Sequence, residues 1–404
     1  MTSNWKVGID IGGTFTDVIA LNINDGAVRT AKVQSRSSDP VASISSAYRA
    51  VGIDWADVSD LMHGTTMATN AIVENNLAPV ALVATEGFCD TLEIGRQNRR
   101  ELYRLEVPPK LPPLVPEKYR LEVAERIDAQ GEILTPLTET EVERLAGAVE
   151  TLDVPAVAIT LQQCFTNDEH EARLGQRLQS VVPYVALSHK LSPEPREFER
   201  TNTTVLNAAL MPLTAGYLED LQQAAGNDTN LHLCHSAGGM ASIAAMQDRP
   251  LALALSGPAA GVAAAARVAR ELGLTQAIGF DMGGTTTDTC AVIDGKVQVD
   301  GNQRLAARPV RQLMVAVESI GAGGGSIARV QGQAIRVGPD SAGADPGPAC
   351  YGSGGHQPTV ADANLVLGYL DSEQLLGDSV RLDSQLALAA IRTIAQAFDL
   401  SVQE

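Results

Sequence analysis

The chain has 404 residues, enough for two or three domains with well-buried cores, and its formal net charge of −18, with no Lys/Arg-rich run, argues against a nucleic-acid partner. Hydrophobic residues make up 45% and aromatics only 4%, so the core is built from aliphatic side chains. Five scattered cysteines without a CxxC pair read as reduced thiols, and the longest uncharged tract, residues 250–266, is too short and Ala-rich to span a bilayer, so a cytoplasmic protein without a membrane partner is expected.

The first predicted element is the strand VGIDI, followed by the turn GGTFT and a second strand, DVIALNI. Asp25-Gly26 then closes a hairpin, because Asp-Gly suits the positive φ of a tight turn. Residues 39–51 read as a helix opening at Asp39-Pro40. The Pro-rich stretch 107–116 is neither helix nor central strand and reads as a surface connection. EVERLAGAVETL and NDEHEARLGQRLQSVV are amphipathic helices around the strand AVAITL, with Asn167 as the expected N-cap of the second. The polar LSPEPREFER marks a boundary between lobes 1–195 and 196–404. Beyond it come a long helix from about Asn202 to Ala225, a helix from Ser256-Gly257-Pro258 to Leu272 stopped by Gly273, and a terminal helix, DSQLALAAIRTIAQAFDL.

The opening motif recurs. DIGGTFTDV (residues 10–18) and DMGGTTTDT (281–289) share Asp, Gly, Gly, Thr, Thr and Asp at equal offsets. Each copy follows an apolar strand and precedes a second strand and an Asp-Gly turn, Asp25-Gly26 or Asp294-Gly295. A matching strand–loop–strand context implies two repeated lobes that each donate a Gly-rich hairpin to a shared cleft. Neither a P-loop nor a dinucleotide loop fits, since both open a helix and these glycines lie between strands. Backbone N–H groups and Thr hydroxyls must then hold phosphate oxygens, with glycines permitting close approach. Asp10 and Asp281, at the strand ends, are placed to face a Mg²⁺, directly or through water.

Paired DxGGTxTD hairpins resemble the actin-like ATPase superfamily. HGTTMATNAIVE (63–74), TEGFCDTLEIGRQNR (85–99), EFERTNTTVLNAAL (197–210), LSGPAAGV (255–262), SIGAGGGSIARV (319–330) and the segment from VGPDSAGADPGPACYGSGG through PTVADANLVLG (337–368) resemble the hydantoinase A / 5-oxoprolinase family, which also includes ATP-handling subunits of acetone and acetophenone carboxylases. The resemblance implies duplicated actin-like (ribonuclease H-like) α/β lobes with mixed sheets flanked by helices. It also implies ATP-dependent activation of a carbonyl, as in cyclic-amide hydrolysis, with ATP and Mg²⁺ as cofactors, a hydantoinase B-like second subunit and an oligomeric assembly. A carboxylase subunit and a non-enzymatic nucleotide-gated module are the alternatives. On this reading Gly12, Gly13, Thr14, Gly283, Gly284, Thr285 and Thr286 bind phosphates, and Asp10 and Asp281 organise the metal and the attacking group. Thr16 is a phosphate-site candidate that also braces its hairpin, as Asp17, Thr287 and Asp288 do. His63, Thr65, Thr66 and Asn70 are substrate-contact candidates, or caps of the following helix. Family members carry a downstream FGGAGP-type motif resembling an adenosine-binding loop; none precedes Glu404, so the second lobe reads as C-terminally truncated.

Three further clusters favour bland readings. HLCH (232–235) lacks a fourth metal ligand, Glu197 and Arg200 fit an exposed i,i+3 ion pair, and Cys350 has no identifiable base for nucleophilic work. GAGGGS (321–326) lies too near the second motif to serve as the adenosine loop and is expected to line the cleft or the substrate side.

Overall fold

The structure is a computed structural model that describes residues 4–12, 15–36, 39–99, 102–106, 109–343, 345–373, 375–376 and 380–404. Gly13 and Thr14 of the first turn, and Val107 and Pro108 of the Pro-rich stretch, lie outside the described residues.

Strands β1 (Trp5–Ile11), β2 (Phe15–Asn22) and β3 (Val28–Gln34) form an antiparallel meander, and β4 (Val58–Thr65) adds to β1 in parallel. The strand Asn230–Cys234 pairs in parallel with β4, and Met240–Ala241 closes that edge of a six-stranded sheet. This sheet therefore draws on residues from both sides of position 195. Alternation in β1 sends Trp5, Val7, Ile9 and Ile11 into the core, where they meet Ile44, Ala47 and Tyr48 of helix Pro40–Ala50 and Leu206, Leu210 and Leu218 of the long helix. Asp39 caps the Pro40 helix by accepting the Ala42 N–H at 2.9 Å.

A second sheet is all parallel, with β5 (Val80–Thr85) between Arg120–Val123 and Ala156–Thr160, and Tyr184–Leu187 outermost. Its central strands are uniformly buried between helices Glu139–Thr151 and Glu169–Leu178 on one face and the long helix on the other, as parallel strands require. The N-cap of helix Glu169–Leu178 is Asp168 rather than Asn167, whose side chain, one residue earlier, still accepts the Glu169 N–H at 3.0 Å.

The long helix runs Glu197–Ala225, five residues earlier than the pattern predicts, with Pro212 inside it. Arg200 is not on an exposed face: it is fully buried, donates to the Leu161 carbonyl at 2.8 Å and stacks over Phe165. Its neighbour Glu199 makes the surface ion pair instead, with Arg96.

The second hairpin repeats the first. Gln276–Met282 and Thr287–Ile293 pair antiparallel with Asp281 opposite Asp288, as Asp10 lies opposite Asp17. The counterpart of β3 is split between Lys296–Val297 and Val317–Ile320. The residues between them form a hairpin, Val299–Leu305 with Arg308–Val315, that packs on the long helix through Leu305, Val310 and Met314.

Candidate active site

The two Gly-rich turns are closed in the same way. Gly12 N–H donates to the Phe15 carbonyl at 3.0 Å, and Gly283 N–H donates to the Thr286 carbonyl at 2.9 Å. At the second turn the N–H groups of Gly284 and Thr285 donate to no oxygen among the described residues, and Gly284, Thr285 and Thr286 are exposed. Unpaired main-chain donors on a glycine turn form a concavity suited to an anion.

The carbonyls behind that turn are held in place. Gly324 N–H bonds to Gly283 O at 2.9 Å and Gly325 N–H to Gly284 O at 2.7 Å. A Cβ on Gly323 would lie 2.7 Å from Gly283 O, so the contact requires glycine. The loop GAGGGS thus buttresses the second turn from behind. Its glycine spacing was visible in the sequence, but its target was not.

The aspartates occupy unequal surroundings. Asp10 faces Gly64 across the β1–β4 register, and Cβ atoms placed on Gly64 and Gly257 would lie 2.9 Å and 3.3 Å from its Oδ1. Although solvent reaches it from the cleft, partial burial, then the negative charges of Asp17 and Asp281, hold the Asp10 carboxyl above its usual range, with Lys32 opposing them. The influence of Asp281 on Asp10 places the two hairpins within electrostatic reach of each other. Sequence reading singled out Asp10 but not the two glycines that make room for it.

HGTT does different work from that expected. His63 is buried: Nδ1 lies 3.4 Å from the Ile9 carbonyl and Nε2 meets the Tyr217 hydroxyl. Burial drives its pKa down to about 4, so it is a neutral group within the core. Thr65 is buried as well, and its backbone exchanges two hydrogen bonds with the Ser256 hydroxyl, 3.2 Å from N–H and 2.8 Å to O. That exchange pins the start of helix Ser256–Glu271 beside Asp10. Thr66 donates to the Ile11 carbonyl at 3.2 Å, and exposed Asn70 donates to the Thr66 hydroxyl at 3.4 Å. The motif is therefore a joint between sheet and helix, with Thr66 half-buried and Asn70 alone of the four exposed.

Thr16 is fully buried and bonds to the Ser35 hydroxyl at 2.9 Å, so its side chain braces the hairpin. Thr287, its counterpart, is also buried and donates to the Ala322 carbonyl. Asp17 pairs with Lys32, and Asp288 accepts from Ser319.

The remaining clusters stay outside the chemistry. His232 is partly exposed, whereas the His235 ring accepts the Ala237 N–H. No group of three or more His, Cys, Asp or Glu able to hold a metal occurs among the described residues. Burial and the neighbouring Asp362 push the Cys350 thiol up to about 12. Asp362 instead ties the loop together, accepting from Cys350 N and from the N–H and hydroxyl of Thr359 at 2.7, 2.9 and 2.7 Å.

Two aspartates, free turn N–H groups and glycine walls fit a nucleotide phosphate with a divalent cation, because Mg²⁺ commonly takes only one or two protein carboxylates beside phosphates and water. A hairpin repeated in register in two mixed α/β lobes is the architecture of an actin-like ATPase fold. Comparison with known proteins places the chain within that class. Hydantoinase/oxoprolinase matches residues 200–404, and the hydantoinase/oxoprolinase N-terminal region matches residues 6–182. The chain belongs to the hydantoinase/oxoprolinase family.

Caprolactamase subunit alpha of Pseudomonas jessenii is 36% identical over 99% of this chain and 60% of its own length. The crystal structure of that ATP-dependent caprolactamase superposes with a TM-score of 0.82 over 98% of this chain and 60% of its own. Acetophenone carboxylase gamma subunit of Aromatoleum aromaticum is 32% identical over 99% of this chain and 58% of its own length. Nucleotide-free acetone carboxylase superposes with a TM-score of 0.74 at 28% identity, over 99% of this chain and 60% of its own. The chain thus spans about three-fifths of the length of these relatives. No helix among the described residues is long and apolar enough to cross a membrane.

Proposed function

We propose that this chain is the ATP-handling part of an ATP-dependent cyclic-amide hydrolase that works with a hydantoinase B-like second subunit. The observation that carries the reading is the pair of in-register Asp–Gly–Gly hairpins, facing each other closely enough for Asp281 to raise the pKa of Asp10. The likeness to the caprolactamase subunit, higher in identity and TM-score than that to acetone carboxylase, supports the hydrolase branch.

Bound Mg-ATP would supply a phosphoryl group that turns an amide oxygen into part of a leaving group, leaving the ring carbon open to water. The Gly284 and Thr285 N–H groups would hold phosphate oxygens, the side-chain-free Gly12 and Gly283 would let the phosphate approach the turns, and Asp10 and Asp281 would hold the cation. Asp10 would also orient the attacking group. Its pKa is raised first by burial and then by repulsion from Asp17 and Asp281, and a cation would relieve the repulsion. Gly64, Gly257 and the Thr65–Ser256 bonds keep that carboxylate in place, so the chain's contribution is positioning and charge neutralisation.

The test is Mg-ATP turnover by the complete assembly with caprolactam, hydantoin or 5-oxoproline, set against a ketone with bicarbonate. Stimulation by a cyclic amide supports the hydrolase. Stimulation confined to the ketone with bicarbonate moves the chain to the carboxylase branch. If neither changes turnover while nucleotide alters partner binding, the output is a nucleotide-gated conformational change.

A further inference from the structure

The helix-covered face of the second hairpin carries a cavity that the phosphate and cation sites leave unused. It has a volume of about 230 Å³ and lies between helix Ser256–Glu271 and the paired strands Gln276–Met282 and Thr287–Ile293. At one end stand the paired carboxylates of Asp281 and Asp288 and Pro258, which follows the glycine that abuts Asp10. From there the cavity runs along the helix past Val262 to Ala265, over Gly279 and Cys290. Position 279 has no room for a side chain: a Cβ there would lie 2.5 Å from Cys290 Sγ and 3.4 Å from Ala265 Cβ, so strand and helix close the inner end. The polar side chains of the lining are already engaged. Asp281 belongs to the proposed cation site, Asp288 accepts from the Ser319 hydroxyl, and Thr289 donates to the Glu318 carbonyl at 3.1 Å. Among the described residues, no Lys, Arg or His lines the cavity.

Resting on the cyclic-amide reading of the cleft, we propose that this cavity takes the ring of the substrate, and that the substrate is a lactam whose ring carries only methylene groups. The amide oxygen then faces Asp10 and Asp281 at the phosphate end, and the methylenes lie against Val262, Ala265 and Cys290. The size suits a small ring, because sites for drug-sized ligands run to about 300–1,000 Å³. The chemistry of the walls narrows the class further. A ring carboxylate, as in 5-oxoproline, finds no cation among these side chains and meets the carboxylate of Asp288. The second carbonyl and N–H of a hydantoin are desolvated against apolar walls without hydrogen-bond partners. Each methylene of a lactam, by contrast, adds favourable burial.

The test uses the complete assembly with Mg-ATP and three ring amides: caprolactam, the smaller lactam pyrrolidinone, and 5-oxoproline, which is pyrrolidinone bearing a carboxylate. The kcat/KM is expected to fall in that order, by about tenfold or more for the methylenes lost and by about 100-fold or more for the carboxylate gained. Ala265→Leu, which fills the cavity from the helix side, should raise KM for caprolactam by about tenfold or more and leave KM for pyrrolidinone within about threefold. Mg-ATP affinity should stay unchanged in that variant, because Ala265 lies away from both turns on a half-buried helix position. The comparison of substrates needs no variant, so it decides even if Ala265→Leu does not fold. Turnover of 5-oxoproline equal to or faster than that of pyrrolidinone overturns the proposal and leaves the cleft a cyclic-amide hydrolase. An unchanged caprolactam KM in an Ala265→Leu assembly that still binds Mg-ATP does the same. If no cyclic amide stimulates turnover at all, the hydrolase reading itself fails and the cavity loses this occupant with it.

Discussion

The first hairpin sits inside a sheet, between β3 and β4, whereas the second sits at a sheet margin with β3 replaced by two short strands and β4 by nothing among the described residues. Yet the turns keep the same register and the same closing hydrogen bond. The difference lies in what stands behind them. In the first lobe a neighbouring strand and a helix start, brought together by Thr65 and Ser256, leave space for Asp10 at Gly64 and Gly257. In the second, a glycine loop from 40 residues downstream grips the carbonyls of Gly283 and Gly284. Turn chemistry is local and repeats with the sequence, whereas its support is long-range and has diverged.

The largest expected effect tests the first support. In Gly64→Ala the new Cβ would sit 2.9 Å from Asp10 Oδ1 and push the carboxylate off its position. Turnover of Mg-ATP in the complete assembly should fall about 100-fold, the scale expected when a reacting group is misplaced by about 1 Å, while the melting temperature changes little. Unchanged turnover would show that the glycine wall around Asp10 has no role in chemistry.

A second prediction concerns β4, the strand that only the first hairpin has beside it among the described residues. His63 is neutral in the fold with a pKa of about 4, against 6.5 when free. The unfolded chain therefore binds more protons between these values, and stability is lost as pH falls from 6.5 to 4. The loss amounts to roughly 3 kcal/mol. His63→Gln should flatten that slope in urea unfolding at pH 7.5 to 4.5. An unaltered slope would assign the acid sensitivity elsewhere.

The hairpins, their pairing and most helices were legible because each rests on a local pattern: alternation in KVGIDI, Asp39-Pro40 at a helix start, Gly273 at a helix end. The duplication made the two aspartates legible as a pair. Side-chain direction was not legible. Thr16 and His63 belong to functional-looking motifs, but strand alternation turns both inward, toward Ser35 and toward Ile9 with Tyr217. Arg200 looked like half of a surface ion pair until packing of the long helix on the parallel sheet enclosed it. Contacts such as Gly323 on Gly283 depend on chain segments far apart in sequence, and a single sequence carries no local signal for them.

The second support is tested by Gly323→Ala, whose Cβ would meet Gly283 O at 2.7 Å, a backbone atom that cannot swing aside. Mg-ATP affinity should fall about tenfold by calorimetry, or about 1.4 kcal/mol. Gly321→Ala, which meets nothing within 4 Å, is the control and should bind normally. Equal affinity in all three chains would mean that the loop does not shape the phosphate turn.

The smallest effect separates the lobes by what each buried threonine bonds. Thr16 shares a hydrogen bond with the Ser35 hydroxyl, which can rotate toward another partner when Thr16 is lost. Thr287 donates to the main-chain carbonyl of Ala322, which cannot turn away and is left unsatisfied beside the buried side chain. Thr287→Val should therefore cost about 1–3 kcal/mol in denaturant unfolding, the penalty for stranding a partly buried acceptor, and Thr16→Val about 1 kcal/mol or less. Because the Thr287 bond also ties the hairpin to the glycine loop, Thr287→Val should weaken nucleotide binding in the direction of Gly323→Ala, and Thr16→Val should not. If the two valine variants lose equal stability and bind alike, the hairpins share their support as well as their register, and the contrast between the lobes reduces to the edge of Gln276–Met282 that has no strand beside it among the described residues.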